Sequence, residues 1–260
     1  MFKFSYFDIF KPLETLLGEL NSYQPAILAA QPSVLVDICL AQKNSKITIK
    51  PIQIISFAEV LHENDKALVE QTFQLKITEV YQCTEGFLGA SCEFGTMHLH
   101  EDFIQFEKEW IDEERFYPIV TDFSRHSQPI VKYRMDDILQ IKTTPCACGS
   151  AHLAIEKIIG RDDDVLIFKG IKVYPDLIAR KIAQNTDAFQ KYEIVQTSDT
   201  SLAIGIESQE ARFEEIKACF IQTLDELFAK HHVQGVSYVF SNKITHVSGN
   251  KTRKIKRLTP

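Results

Sequence analysis

The sequence predicts an α/β fold in three parts: a partial parallel α/β sheet, a small β-rich subdomain, and a compact α+β domain at the C-terminal end. Three observations predict it. Helical and strand-like segments alternate up to Tyr81, the rhythm of a parallel sheet with crossover helices. From Phe87 the texture changes to short apolar segments separated by Gly, Asp and Pro, which reads as mostly antiparallel or a small barrel. An acidic connector, Gly160-Arg161-Asp162-Asp163-Asp164, then precedes a further set of strands and helices.

The elements follow in order. Pro12 stands at a helix start, and Leu13, Leu16, Leu17 and Leu20 follow at i, i+3, i+4 and i+7, one apolar face. After Pro25 a short apolar run covers Ala26 to Ala30. Ser33 is placed to cap a second helix containing Val34, Leu35 and Ile38. Ile52 to Phe57, rich in isoleucine, reads as a buried strand. Asn64 is expected to cap a helix carrying Ala67, Leu68 and Phe73, and Ile77 to Tyr81 is the next strand. In parallel sheets ligands bind at the carboxyl ends of the strands. That singles out Ser56-Phe57-Ala58-Glu59 and Tyr81-Gln82-Cys83-Thr84-Glu85.

The antiparallel region is expected in Met97 to Leu99, Phe103 to Phe106, Phe116 to Asp122 and Ile130 to Tyr133. Three acids behind Gly-Arg are read as a solvated connector rather than a strand interior. Hinges absorb φ/ψ change at element ends, so the connector, with units 1–162 and 163–260 on its two sides, is either a joint between two lobes or a charged surface turn. Beyond it the pattern predicts strand Val165–Phe168, helix Pro175–Gln184, strands Tyr192–Gln196 and Ser201–Ile206, long helix Glu210–Lys230 and strand Val236–Phe240. Phe213, Ile216, Phe220, Leu224, Leu227 and Phe228 give the long helix its apolar side.

Composition narrows the function classes. Apolar residues at 45% and charged residues at 25% are ordinary for a globular chain, and no apolar run approaches a membrane span. Met1 to Tyr6 lacks the long apolar region of a secretion signal. Six irregularly spaced cysteines suggest reduced thiols and a cytoplasmic location. A formal charge of −6 argues against nucleic-acid binding. Lys251, Arg253, Lys254, Lys256 and Arg257 nevertheless make a basic tail, suited to phosphates or simply solvated.

Three groups of residues are suited to chemistry. Tyr81, Thr84 and Glu85 place a ring, a hydroxyl and a carboxylate at one strand end, for a base, a phosphate and Mg²⁺; the same pentapeptide also reads as a strand end with polar caps. Asp137, after Tyr133-Arg134-Met135-Asp136, is either a turn aspartate or an acceptor for two ribose hydroxyls. Cys146-x-Cys148-Gly149 and nearby His152, with Cys92 and His98, offer thiolate and imidazole ligands suited to Zn²⁺. Their alternative is a set of reduced structural thiols, since Cys-x-Cys is shorter than the usual zinc spacing.

The order of these pieces resembles the adenylate-forming superfamily of acyl-CoA ligases, nearest its phenylacetate–CoA ligase branch. Tyr81 to Glu85 looks like the family's aromatic-Gly-x-Thr-Glu motif with Gln82 for glycine, and Tyr133 to Asp137 like Tyr-Arg-x-x-Asp. Gly160 to Asp164 looks like the Gly-Arg-x-Asp-Asp hinge, and Gly170 to Pro175 like its sequel. Phe57-Ala58-Glu59 is similar to the adenine loop, with phenylalanine for glycine. The resemblance covers nearly the whole chain.

The resemblance implies an enzyme that activates a carboxylic acid with ATP and passes it to coenzyme A. On it, Ser56, Phe57, Ala58, Glu59, Tyr81 and Gln82 wall the adenine of ATP or AMP. Thr84 touches the phosphates, Glu85 holds Mg²⁺, Asp137 and Arg161 hold the ribose, and Asp163 is the hinge. Lys254 is the catalytic lysine, with Lys251 a nearby alternative, and the loop at Gly170 enters the site for the coenzyme A step. Glycine suits that loop because a residue without Cβ lets backbone approach a ligand. The family's glycine-rich phosphate loop has no counterpart here: the chain has ten glycines and none cluster. The chain is therefore expected to be the distal part of a ligase, partnered by an upstream half or a second copy. The alternatives are a non-catalytic nucleotide-binding or interaction homologue and an adenylyltransferase of the deazaflavin-adenylating kind.

Overall fold

A computed structural model describes residues 3–185, 192–244 and 254–258. Helix α1 (Leu13–Tyr23) leads into β1 (Ile27–Ala30), α2 (Pro32–Lys43) into β2 (Gln53–Ser56), and α3 (Glu63–Phe73) into β3 (Ile77–Cys83). The three strands pair in parallel in that order. Leu16, Leu17 and Leu20 of α1 and Leu35 and Ile38 of α2 share one core with Ile54 and Val69. Three of the four leucines of the predicted stripe are thus buried, each contributing roughly 1.5–3 kcal/mol, whereas Leu13 at the start of the helix is 41% exposed. Ile52 lies outside that core and is 76% exposed, so β2 begins one residue later than the apolar run.

Both predicted helix caps move. Helix α2 starts at Pro32, whose missing N–H costs nothing at the first helical position. Ser33 is therefore inside the first turn, where its N–H and Oγ both donate to the Glu59 carboxylate at 3.1 Å. Helix α3 starts at Glu63 behind His62, and Asn64 again falls inside the turn. Carboxylates supply the negative charge at both helix starts, Glu59 from the segment after β2 and Glu63 with Asp65 from within α3.

Strand β3 changes partner along its length. Ile77 to Glu79 pair in parallel with β2, whereas Val80 to Cys83 pair antiparallel with β4 (Gly86–Ser91). From there β5 (Met97–Leu99), β6 (Ile104–Trp110), β7 (Arg115–Asp122), β8 (Ile130–Arg134), β9 (Asp137–Ile141) and β10 (Ala154–Arg161) extend the sheet. The order is β1-β2-β3-β4-β5-β10-β9-β7-β6, with β8 on β7. Tyr81, Leu88, Leu99, Phe116, Val120, Leu139 and Ile155 form its second core.

The acidic connector is not the solvated run that its charge suggested. Gly160 and Arg161 are the last residues of β10, paired with Ile138 and Asp137 of β9. A strand can include them because Gly160, at a register irregularity, takes a φ of 142° that disfavours other residues. Asp162–Asp164 makes a single 3-10 turn in which Asp164 is buried and accepts from the Arg161 N–H. Asp162 accepts from the Tyr117 hydroxyl. The acids fold inward because these donors meet them.

After the turn, β11 (Leu166–Phe168) and β12 (Ile171–Val173) form a hairpin. Its two turn residues, Lys169 and Gly170, both have positive φ, as a tight hairpin requires. Helix α4 (Pro175–Asn185), β13 (Tyr192–Ser198), β14 (Ser201–Ile206), α5 (Phe213–Lys230), β15 (Ser237–Ser241) and β16 (Ile255–Arg257) complete the unit. Glu210–Arg212, expected to begin the long helix, is a separate 3-10 turn. The sheet order is β15-β14-β13-β16, and Phe220, Leu224 and Phe228 of α5 pack on Ile194, Leu202 and Ile255. A smaller cluster joins Tyr117, Ile138 and Ile159 to Val165 and Tyr174 across the connector. Among the described residues no helix is long and apolar enough to cross a membrane.

Candidate active site

Five element ends converge on one cleft of about 670 Å³. The segment after β2 brings Ala58 and Glu59, and the end of β3 brings Tyr81, Gln82 and Glu85. The start of β9 brings Asp137, the end of β10 brings Arg161, and the residue before β16 is Lys254. Size and mixed lining suit a small-molecule cofactor.

At the centre Tyr81, almost fully buried, donates its phenol to Asp137 Oδ2 at 2.7 Å. Burial and then the Asp137 charge hold the Tyr81 pKa well above its ordinary value, so the phenol stays a donor. Arg161 Nη2 donates to Asp136 at 3.1 Å, and its Nε lies 3.5 Å from Asp163 Oδ1. The Glu85 carboxylate raises the pKa of the Tyr133 phenol, Glu85's charge being the largest cause. Two acids and a guanidinium thus face a nucleoside-sized space from the sheet side.

From the opposite side, Lys254 Nζ donates to Asp65 Oδ2 at 2.6 Å. The partners are 189 residues apart and mostly shielded, with 21% and 11% of their side chains exposed. The ammonium also lies 5.7 Å from the centre of the Tyr192 ring. His62, one helical turn before Asp65, has its pKa lowered from 6.5 to about 4, by burial first and by the Lys254 charge second. A depressed histidine means the unfolded chain takes up the proton first. Its contribution is fully present above pH 6.5 and lost as pH falls toward 4. Denaturant titrations should show stability dropping by about 2 kcal/mol across that window, and less in His62→Gln. An equal drop in the variant would contradict the assignment.

The comparisons with known proteins bear on this geometry. No family model matches the sequence. A phenylacetate–coenzyme A ligase of Thermus thermophilus is 24% identical over 219 residues, covering 76% of this chain and 48% of that one. A 2-hydroxyisobutyryl-CoA ligase in the postadenylation state with R3-HIB-AMP superposes with a TM-score of 0.74 at 19% identity, over 95% of this chain and 57% of its own. The fold is that of the adenylate-forming acid–CoA ligases. The chain spans about half the length of the ligases it matches. The same 2-hydroxyisobutyryl-CoA ligase, crystallised with 2-HIB-AMP and CoA in the thioesterification state, superposes at 0.51, with 20% identity over 94% of this chain and 56% of its own.

Within this adenylate-forming ligase fold, not every residue chosen from sequence reaches the cleft. Ser56 is buried in β2, and neither it nor Phe57 lines the space. Thr84 is exposed beside Glu85, and Gly170 is exposed at the tip of the β11–β12 hairpin. Asp163 touches the site through Arg161. Lys251 and Arg253 lie outside the described residues. Sequence reasoning missed Asp65, His62 and Tyr192, all on the cleft wall. The signal for the first two was present: a helix that follows the carboxyl end of a strand presents its first turn to the ligand side of the sheet.

The four cysteine and histidine residues proposed for a metal do meet. Ligand atoms of Cys92, His98, Cys146 and Cys148 all lie within 4.8 Å of one another. None lines the cleft. His152 is not a fifth member, because its ring faces Asp102 at 3.3 Å.

Proposed function

We propose that this chain carries the ribose-binding, Mg²⁺-binding and lysine-bearing half of a ligase that activates a carboxylic acid with ATP and transfers it to coenzyme A. The observation that carries the reading is the cleft itself, which unites the Tyr81–Asp137 pair, Glu85 and Arg161 with a lysine from 189 residues beyond Asp65. Asp137 accepts the ribose hydroxyls with Arg161 beside it, and Ala58, Glu59, Tyr81 and Gln82 wall the adenine. Thr84 serves the phosphates. The Glu85 carboxylate is the hard oxygen ligand that a phosphate-bound Mg²⁺ takes.

In the first half-reaction an oxygen of the substrate carboxylate attacks the α-phosphorus of ATP and pyrophosphate leaves. Negative charge grows on the phosphoryl oxygens, and the Lys254 ammonium, preorganised by Asp65, stabilises it. In the second, the coenzyme A thiol attacks the acyl carbon and AMP leaves. We propose that units 1–162 and 163–260 rotate about Asp163 between the two steps, bringing Gly170 to the cleft in place of Lys254. The better superposition on the postadenylation arrangement than on the thioesterification one supports assigning the present pose to the first step. An upstream half of the enzyme supplies the phosphate-binding loop. Six free cysteines fit a reducing cytoplasm. Zinc at Cys92, His98, Cys146 and Cys148 is a separate proposal, since that cluster lies off the cleft.

The test is exchange of labelled pyrophosphate into ATP, measured on the chain alone and with a partner bearing a glycine-rich loop. Stimulation by a carboxylic acid is the expected result. AMP binding without exchange in either setting would favour the inert homologue, a reading supported by the absence of a glycine cluster from the sequence. A stable adenylylated cofactor in place of a thioester would favour the adenylyltransferase.

A further inference from the structure

We propose that Cys92, His98, Cys146 and Cys148 form a closed structural zinc site, which staples the β4–β5 hairpin to the far ends of β9 and β10, the strands whose near ends bring Asp137 and Arg161 to the cleft. Three separate chain segments supply the ligands. Cys92 follows β4, His98 is in β5, and Cys146 and Cys148 lie in the connection between β9 and β10. The β4–β5 hairpin and the pairing of β5 with β10 and β10 with β9 bring these segments side by side, and the three thiols that meet there are only partly buried.

The spacing matches a tetrahedral ion. Zinc–sulfur bonds of about 2.3 Å place tetrahedral ligand atoms about 3.8 Å apart. Cys92 Sγ and Cys146 Sγ are 3.6 Å apart, and Cys148 Sγ is 3.3 Å from His98 Nε2. The imidazole is already oriented, because Nδ1 lies 3.2 Å from the His152 carbonyl and leaves Nε2 facing the sulfurs. Second contacts of this kind fix the tautomer of metal-bound histidine. The short Cys-x-Cys spacing works through a turn. Gly149 N–H donates to the Cys146 carbonyl, Gly149 takes a φ of 74°, and the Ser150 N–H points to Cys148 Sγ at 3.5 Å. Three thiols and an imidazole select zinc over magnesium or calcium, and four protein ligands leave no position open for catalysis.

The site has mechanical consequences for the cleft. His98 pairs with Ala90 on β4 and with Ala154 on β10. From the cluster, β9 and β10 run to the cleft, where Asp137 and Arg161 stand opposite one another. Two irregularities interrupt that pairing, at Ile155/Lys157 and Ile158/Gly160. The ladder nevertheless continues between the two ends, so a clamp beside the β9–β10 connection ties its far end to β4 and β5.

Metal analysis of the whole chain tests this without reference to ligase activity. The chain, purified without chelator from zinc-supplemented cells, should carry one zinc, and cobalt should replace it with the visible spectrum of a tetrahedral thiolate site. Cys148→Ser and His98→Ala should each lower zinc content at least about tenfold, whereas Cys219→Ser should leave it unchanged. Should the ligand variants fail to fold, the unaltered chain decides. Chelation should expose three further thiols to a thiol reagent and speed amide exchange in β9 and β10 about tenfold. The proposal is overturned by a zinc-free chain that gives no cobalt spectrum, by full zinc content in both ligand variants, or by thiol reactivity and exchange that chelation does not alter.

Discussion

Lys254→Ala should lower acid-stimulated pyrophosphate exchange by about 10²–10³-fold while changing AMP affinity by less than about threefold. The size follows from where the charge is needed. Negative charge on the phosphoryl oxygens grows as the carboxylate attacks, so an ammonium held there is worth far more in the transition state than to bound AMP. Lys254 is held by Asp65 at 2.6 Å in a setting that excludes most water. Truncation also leaves the Asp65 charge without its partner, which alone costs up to about 3 kcal/mol of stability. The double variant Asp65→Asn/Lys254→Ala separates the effects, because it should recover stability without recovering exchange. Equal losses of exchange and AMP binding in Lys254→Ala would show that the lysine only binds.

Asp137→Ala should weaken AMP binding about hundredfold, since charge-assisted hydrogen bonds to two ribose hydroxyls are each worth roughly 1.5–3 kcal/mol. The Tyr81 phenol donates to the same carboxylate, so a positional role must be separated from direct contact. Tyr81→Phe removes that donor and leaves the acceptor, and should change affinity by no more than about threefold to fivefold. The sugar supplies the sharper comparison. The unaltered chain should bind 2′-deoxy-AMP at least about tenfold more weakly than AMP, and Asp137→Ala should not distinguish the two. Discrimination that survives in Asp137→Ala would place the ribose elsewhere.

What the sequence made legible divides along physical lines. Leu16, Leu17 and Leu20 announced a buried helix face because helical periodicity is local. Tyr81, Glu85, Asp137, Arg161 and Lys254 were legible because their order along the chain is a pattern, and the cleft brings them together. Caps were misread because Ser33 and Asn64 are good cap residues, yet Pro32 and the long-range partner Glu59 decided where α2 begins. Gly160 and Arg161 were read as connector because their acidic neighbours look solvated. The donors that draw those acids inward, such as the Tyr117 hydroxyl, are distant in sequence. Strand β16 looked like a basic tail, since one apolar residue between lysines has little strand propensity of its own. It exists because Ile255 pairs with Ile194 and enters the core. Asp65 escaped notice for the same reason: nothing local connects a helix's first turn to a lysine 189 residues away.

The central claim is that one cleft grips a nucleoside from Asp137 while Lys254 reaches its phosphate. A crystal structure of the chain with a non-hydrolysable acyl-adenylate analogue tests it most directly. The account predicts both sugar hydroxyls on the Asp137 carboxylate, the base beside Tyr81 and Ala58, and the Lys254 ammonium within hydrogen-bonding distance of the phosphate or the acyl oxygen. A ligand bound away from Asp137, or one seated there with Lys254 still turned to Asp65 and out of reach, would contradict it.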